Sequence, residues 1–166
     1  MKIAFSGTHG TGKTTAAFEL ALQYKKNSNS DVYLIQEVAR RCPFPINTQA
    51  NAESHTWILT EQIKQELEAV KKHNVVICDR TVLDTLAYTK YLGMTDLFES
   101  FLPIVMKHLK SYDKIILRRT SEFDYAIDDG VRDVSNTDFR IGVENNLIDL
   151  YKEAQSYGNV QLLEVG

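Results

Sequence analysis

Cysteine is scarce in this chain: 166 residues include only two, Cys42 and Cys78. They have neither the spacing of a metal site nor the number that a disulfide framework needs. Cys78 ends the apolar run Val75-Val76-Ile77-Cys78 and reads as a buried thiol. Proline is also rare, with three residues, and two of them, Pro43 and Pro45, fall together and exclude regular structure up to Asn47. No apolar run approaches the roughly 20 residues of a membrane span, and no signal peptide is visible, because Met1-Lys2 leads straight into a strand-like run. The expectation is a reduced, cytoplasmic setting with no membrane partner. An excess of basic residues is missing as well: 19 Lys and Arg stand against 22 Asp and Glu, for a net charge of -3. That counts against a general nucleic-acid binder, which needs a basic surface to neutralise phosphates. A local basic groove stays open through Arg40, Arg41, Lys71, Lys72, Arg118 and Arg119. The hydrophobic fraction of 43% and charged fraction of 25% are those of an ordinary globular chain, and the length suits one domain over 1–166.

What the chain does have is Gly7-Thr8-His9-Gly10-Thr11-Gly12-Lys13-Thr14, which satisfies the phosphate-loop pattern G-x-x-x-x-G-K-S/T in full. Glycines let such a loop turn tightly, so that successive N–H groups face the phosphate oxygens of a nucleotide. Lys13 then reaches the outer phosphates, and the Thr14 hydroxyl is suited to Mg²⁺. The context fits, with the apolar run Ile3-Ala4-Phe5 before the loop and Ala17, Leu20, Ala21 and Tyr24 on one helical face after it. His9 occupies a free position of the pattern and belongs to the loop without a catalytic assignment; Thr15 follows as the next residue of the helix.

Four further short apolar runs, at 32–35, 75–78, 114–117 and 160–163, alternate with helical patterns. The helix expected over 49–73 presents Leu59, Ile63, Leu67 and Val70 as a buried stripe. A helix over 81–91 stops at Gly93, and one over 95–112 is expected to bend or divide at Pro103. The last starts near Ser135, capped with Asp138, and buries Leu147, Leu150, Tyr151 and Ala154. Between them, 120–136 is polar and reads as a short lid or a solvated loop. The alternation predicts an α/β fold, a five-stranded parallel sheet flanked by helices on both faces. Ligands of such sheets sit beyond the carboxyl ends of the strands. The phosphate loop, Glu37, Asp79-Arg80 and Arg118-Arg119 all fall there and are expected to converge.

Each of these has a functional and a structural reading. Asp79 suits a Mg²⁺ ligand with Thr14, or a cap for the next helix. Arg80 suits a phosphate contact or an ion pair. Glu37 suits a general base toward an acceptor hydroxyl, a positioning group if the acceptor is already a phosphate, or a partner for Arg40 or Arg41. Arg132 and Arg140, beside the polar segment, suit cations that close over phosphates. Trp57, Gln62 and Tyr88 could hold an acceptor base, with core packing the default for the two aromatics.

With these residues assembled, the chain resembles the small P-loop kinases, most closely the ribosylnicotinamide-kinase-like ATPase group alongside deoxynucleoside and thymidylate kinases. The likeness is carried by the phosphate loop through Thr15, by Gln36-Glu37-Val38-Ala39-Arg40, by Asp79-Arg80-Thr81 with Asp84, and by Asp129-Gly130-Val131-Arg132. Its compactness is similar to that of bacteriophage relatives. The resemblance implies a three-layer P-loop NTPase fold, ATP and Mg²⁺ as cofactors, and Glu37 as base or substrate ligand. It also implies Asp79 with Arg80 at metal and phosphate and Arg132 on the lid; Arg40, Trp57, Gln62, Arg80 and Asp84 are expected toward the acceptor. Two departures stand out. Asp79 replaces the glutamate common in deoxynucleoside kinases, and Val38 replaces the proline usual after the strand.

The expected activity is transfer of the γ-phosphate of ATP to a nucleoside, nucleoside monophosphate or similar small acceptor, with a homodimer left open. A polynucleotide kinase and a nucleotide-dependent regulatory module are the alternatives. Neither an Asn-Lys-x-Asp element for guanine nor a Leu-Ser-Gly-Gly-Gln signature occurs in the sequence.

Overall fold

The computed structural model describes residues 1–28, 30–121, 137–156 and 162–164. Five parallel strands form one sheet: β1 (Lys2–Ser6), β2 (Val32–Ile35), β3 (Val75–Asp79), β4 (Lys114–Leu117) and β5 (Leu162–Glu164), in the order β2-β3-β1-β4-β5. Every residue of β1 and β3 is buried, as strands covered on both faces must be. Alternate residues point to opposite faces. Phe5, Val75 and Ile77 meet α1 (Lys13–Ser28) through Ala17, with Leu20, Ala21 and Tyr24 half-buried around it, as the spacing predicts. Ala4, Val76 and Cys78 meet the larger core formed by α2 (Ala52–Lys72), α3 (Val82–Tyr91), α4 (Thr95–Leu109) and α5 (Thr137–Ser156). The result is the expected three-layer arrangement. The chain order reverses beside β1, which places a crevice at the carboxyl ends of β1 and β3.

Three helical expectations change. The second helix starts at Ala52 because Asn51 caps it. Asn51 Oδ1 accepts the Ser54 N–H at 3.0 Å, Ser54 Oγ accepts the Asn51 N–H at 2.9 Å, and a separate 3-10 turn takes Asn47–Gln49. The buried stripe of α2 is also different. Leu59 is buried and Ile63 half-buried, but Leu67 and Val70 are 52% and 45% exposed, so the inward face is His55, Leu59, Gln62, Glu66 and Ala69. The polar members of that face are paired, which removes most of the cost of burying them. Finally, α4 runs undivided through the exposed Pro103 and ends at Leu109. In α5, by contrast, Leu147, Leu150, Tyr151 and Ala154 are all buried as the periodicity predicts; Ser135, its expected cap, lies outside the described residues. Gly142 brings α5 close to α3, because a Cβ there would fall 2.0 Å from the Tyr91 ring.

One charge pair is embedded in this core. Lys2 Nζ, on β1, donates to Glu66 Oε2 at 2.6 Å, and both side chains are nearly fully buried. Burial pushes the Glu66 carboxyl up, but the hydrogen bond from His108, the charge of Lys2 and the Tyr112 hydroxyl outweigh it and hold the group below its usual range. Among the described residues, no helix is long and apolar enough to cross a membrane.

Candidate active site

The loop after β1 has the backbone its glycines allow. Gly7, Gly10 and Gly12 have φ of 139°, 77° and 68°, in the region where a Cβ is costly. At Gly7 a Cβ would also strike the Arg118 carbonyl at 2.3 Å. The loop's carbonyls are gripped from outside by three arginines, just past β3, just past β4 and on α5. Arg80 Nη1 reaches Gly7 O at 3.3 Å, Arg140 Nε reaches His9 O at 3.2 Å, and Arg118 Nε reaches Thr11 O at 2.7 Å. Three guanidiniums so close add a positive field where a polyphosphate would bind. Lys13 is buried at the first turn of α1, its ammonium donating to Thr8 O at 2.6 Å and Thr11 Oγ1 at 3.3 Å.

Beside it, Thr14 Oγ1 donates to Asp79 Oδ2 at 2.6 Å. A hydroxyl next to one carboxylate is the oxygen donor set that Mg²⁺ takes when phosphates complete its shell. Among the described residues, no group of three or more His, Cys, Asp or Glu could cage a metal by itself. The loop and this pair therefore fit a Mg²⁺–nucleotide complex that brings its own oxygens. Capping of α3 falls to other residues: Asp84 Oδ2 accepts the Thr81 N–H at 2.9 Å and the Thr81 hydroxyl at 2.8 Å. Asp79 is thereby released from the capping alternative.

Asp84 also receives the Ser6 hydroxyl at 2.8 Å and, on its other oxygen, the Gly7 N–H at 3.1 Å and Arg80 Nη1 at 3.3 Å. Both of its oxygens thus tie the phosphate loop to α3, and the residue also lines the cavity beside Arg80. Arg80 lies at the centre. Its Nε donates to Glu37 Oε1 at 2.7 Å, and Glu37 Oε2 accepts from Arg40 Nε at 3.0 Å. Glu37 is 6% exposed and Arg40 exposed, so the inner of the two ion pairs carries more weight. Arg80 also has φ 125°, a backbone setting that costs a non-glycine residue about 1–3 kcal/mol and persists only where the surroundings hold it.

A cavity of about 620 Å³, open mouth included, adjoins Glu37 and Arg80. Ala39, Ile46, Ala50 and Ile58 give it apolar walls, and His9, Asn47, His55, Thr85 and Tyr88 give it polar points. Apolar walls with a few polar points suit a small organic ligand fixed by a few hydrogen bonds. His9, unassigned beyond the loop, lines this cavity, and its Nδ1 lies 3.2 Å from the Tyr88 hydroxyl. Nothing in the sequence singles out His55, since a buried polar helix position reads the same as an exposed one. Its Nδ1 is 2.7 Å from Thr89 Oγ1, whose own hydrogen goes to Thr85 O at 2.8 Å. The ring must therefore carry its proton on Nδ1 and keep Nε2 as an acceptor.

Burial lowers the His55 pKa from 6.5 to about 4, so the ring is neutral at pH 7. The unfolded chain takes up this proton as pH falls through 6.5, and the folded protein does so only near 4. Stability therefore drops across that window, by roughly 2 kcal/mol at pH 5. Urea unfolding at pH 7.5 and pH 5 should show a smaller difference for His55→Gln than for the wild type. Equal differences would contradict the buried neutral ring.

Other candidates fall elsewhere. Trp57 is half-buried against the core and is not among the cavity-lining residues; from its helix those are His55 and Ile58. Gln62 is buried beneath Arg80 and donates to its carbonyl at 3.3 Å. Arg140, expected on the lid, is buried and belongs to the loop's support. Arg132 and the lid segment from 122 onward lie outside the described residues.

Against this geometry, comparisons with known proteins are informative. The chain is 25% identical over 176 residues to a thymidylate kinase of Aster yellows witches'-broom phytoplasma (strain AYWB), covering 93% of this chain and 84% of that one. Among solved structures it is similar to deoxyadenosine kinase from M. mycoides with bound dATP, with a TM-score of 0.70 at 20% identity over 100% of this chain and 90% of the other. It is also similar to NadR protein in complex with NR, with a TM-score of 0.69 at 19% identity over 98% of this chain and 45% of the other. These structures share its fold. A family profile described as AAA domain matches residues 2–162, nearly the whole chain, and the protein belongs to that family.

Proposed function

We propose that the protein is an ATP-dependent phosphotransferase that moves the γ-phosphoryl group of ATP to a nucleoside, a nucleoside monophosphate or a similar small acceptor seated in the cavity beside Glu37. One observation carries this reading: the Arg80 guanidinium bonds Gly7 O of the phosphate loop and the Glu37 carboxylate at once. The donor loop and the group best suited to an acceptor are thus joined through a single cation. The relatives named as thymidylate and deoxyadenosine kinases support the same chemistry.

In this reading the N–H groups of the loop and Lys13 bind the outer phosphates, and Thr14 with Asp79 would hold Mg²⁺. When bound, the metal neutralises charge on the transferring group. Arg80 orients that group and holds Glu37 in place. In this reading the Glu37 carboxylate, held by Arg80 and Arg40, takes the proton of an acceptor hydroxyl. The apolar walls exclude water, which would otherwise compete as acceptor.

The test is ADP release from ATP and Mg²⁺ over a panel of nucleosides, nucleoside monophosphates and oligonucleotides. Release that depends on a small acceptor supports the proposal. Transfer to oligonucleotides alone, or binding without acceptor stimulation, would replace it with a polynucleotide kinase or a regulatory nucleotide-binding module.

A further inference from the structure

Behind the site, a buried carboxylate gathers four donors, from β1, from its own helix α2 and from the end of α4 with the turn after it. Glu66 Oε2 accepts from Lys2 Nζ at 2.6 Å and lies 2.9 Å from His108 Nε2; Glu66 Oε1 accepts from Gln62 Nε2 and the Tyr112 hydroxyl, each at 2.6 Å. Two of these donors continue toward the active site. The second N–H of the Gln62 amide goes to the Arg80 carbonyl at 3.3 Å, and the Tyr112 oxygen accepts the Val82 N–H at 3.1 Å. The directions are forced. A carboxylate only accepts, the Gln62 amide has two hydrogens and both are used, and the Tyr112 hydroxyl spends its one hydrogen on Glu66 and so meets Val82 as an acceptor.

The groups held at the far end are the carbonyl of Arg80 itself, whose strained backbone has φ 125°, and the N–H of Val82 two residues on. Glu66 is fully buried and is not among the residues lining the cavity. A charged pair there is no efficient source of stability, since well-packed apolar residues often do as well. The geometry gives it another use.

We infer that Glu66, through Gln62 and Tyr112, is a positioning residue that fixes the Arg80 backbone so that its guanidinium spans Glu37 and the phosphate loop. Neither Glu66 nor Tyr112 touches a reactant. Their effect is to convert the buried Lys2–Glu66 pair into an anchor for the catalytic arginine. This inference rests on the kinase reading for its kinetic consequence, and on the structure alone for its conformational one.

Tyr112→Phe deletes one oxygen and leaves the ring, and Gln62→Leu removes the other arm. A third protein, with Lys2→Met and Glu66→Met together, removes the anchor and leaves no buried charge unpaired, so that it folds even if single replacements at Glu66 do not. In each, circular dichroism checks folding, the Arg80 Nε–H resonance reports the guanidinium, and kinetics separate kcat from KM. We expect the resonance to shift and kcat to fall on the order of tenfold to a hundredfold. Acceptor KM and Mg-ATP affinity should stay within about twofold, because the contacts that bind the ground state are untouched. An unmoved Arg80 resonance in folded Tyr112→Phe protein overturns the inference, as does wild-type kcat. Should the wild type transfer phosphate to nothing, the kinase reading fails, and the resonance alone decides the positioning role: a shift supports it and no shift overturns it.

Discussion

Replacing Lys13 with alanine is expected to remove phosphoryl transfer and leave the fold standing. The ammonium is buried in the loop, where it donates to Thr8 O at 2.6 Å and to Thr11 Oγ1 at 3.3 Å. Those bonds hold the buried cation in the loop that the proposed function gives to the outer phosphates. There a positioned cation stabilises developing charge far better than in solution. Losing one such group typically costs about 10²–10³ in kcat, and here the residue lost is also the strongest single positive charge in the loop. Stability should change little. Thr8 and Thr11 keep each other through the Thr11 hydroxyl at 3.1 Å, and the arginines on Gly7, His9 and Thr11 do not depend on Lys13. Melting temperature and turnover measured side by side check both halves. Wild-type turnover in Lys13→Ala would remove the loop from the mechanism.

Glu37→Gln should be as severe for a hydroxyl acceptor and mild for a phosphate acceptor. The amide is close in shape but cannot take a proton, so general-base catalysis, usually worth about 10²–10⁴, is lost where the acceptor must be deprotonated. An acceptor that is already a phosphate monoester arrives ionised and needs no base. The substitution also puts an NH₂ toward one of the two arginines that now bond the carboxylate, Arg80 at 2.7 Å and Arg40 at 3.0 Å. Because Arg40 is the more exposed, the amide should keep its oxygen toward Arg80 and release Arg40 to solvent. Arg80 then stays near its place, and the loss in kcat reads the chemistry of Glu37 more than a collapse of the site. Kinetics on a nucleoside and on its monophosphate make the comparison. Equal rates for wild type and variant with a hydroxyl acceptor would end the role as base.

How much of this was legible in the chain depends on how local the signal is. The phosphate loop is contiguous and dictated by backbone geometry, so Gly7 to Thr14 can be read directly, and the short apolar strands place Glu37 and Asp79-Arg80 at the same edge of the sheet. The site's supports are different. Gln62 reads as a candidate toward the acceptor and Glu66 draws no reading at all, because the partners that fix them lie far along the chain: Arg80 O is 18 residues from Gln62, and Tyr112 is 46 and Lys2 64 from Glu66. Periodicity then favours Leu67 and Val70 for the interior, although they sit on the outer side. Apolar patterning finds a core face only where that face is apolar. Pro103 does not divide α4: it removes one N–H, and the helix continues past it with Val105 and Leu109 buried in the core. Asp84 was readable as a residue near the site, but its work as a tether between Ser6, Gly7 and Thr81 appears only once the fold brings those groups together.

The most direct test of the central claim is a crystal structure with Mn²⁺ and a non-hydrolysable ATP analogue, using the anomalous signal of manganese to locate the metal. The account predicts triphosphate in the loop, manganese beside Thr14 and Asp79, and the terminal phosphate between Lys13 and Arg80 on the side of the Glu37 cavity. Nucleotide bound elsewhere, or manganese away from Thr14 and Asp79 with Glu37 turned from the phosphates, would contradict it.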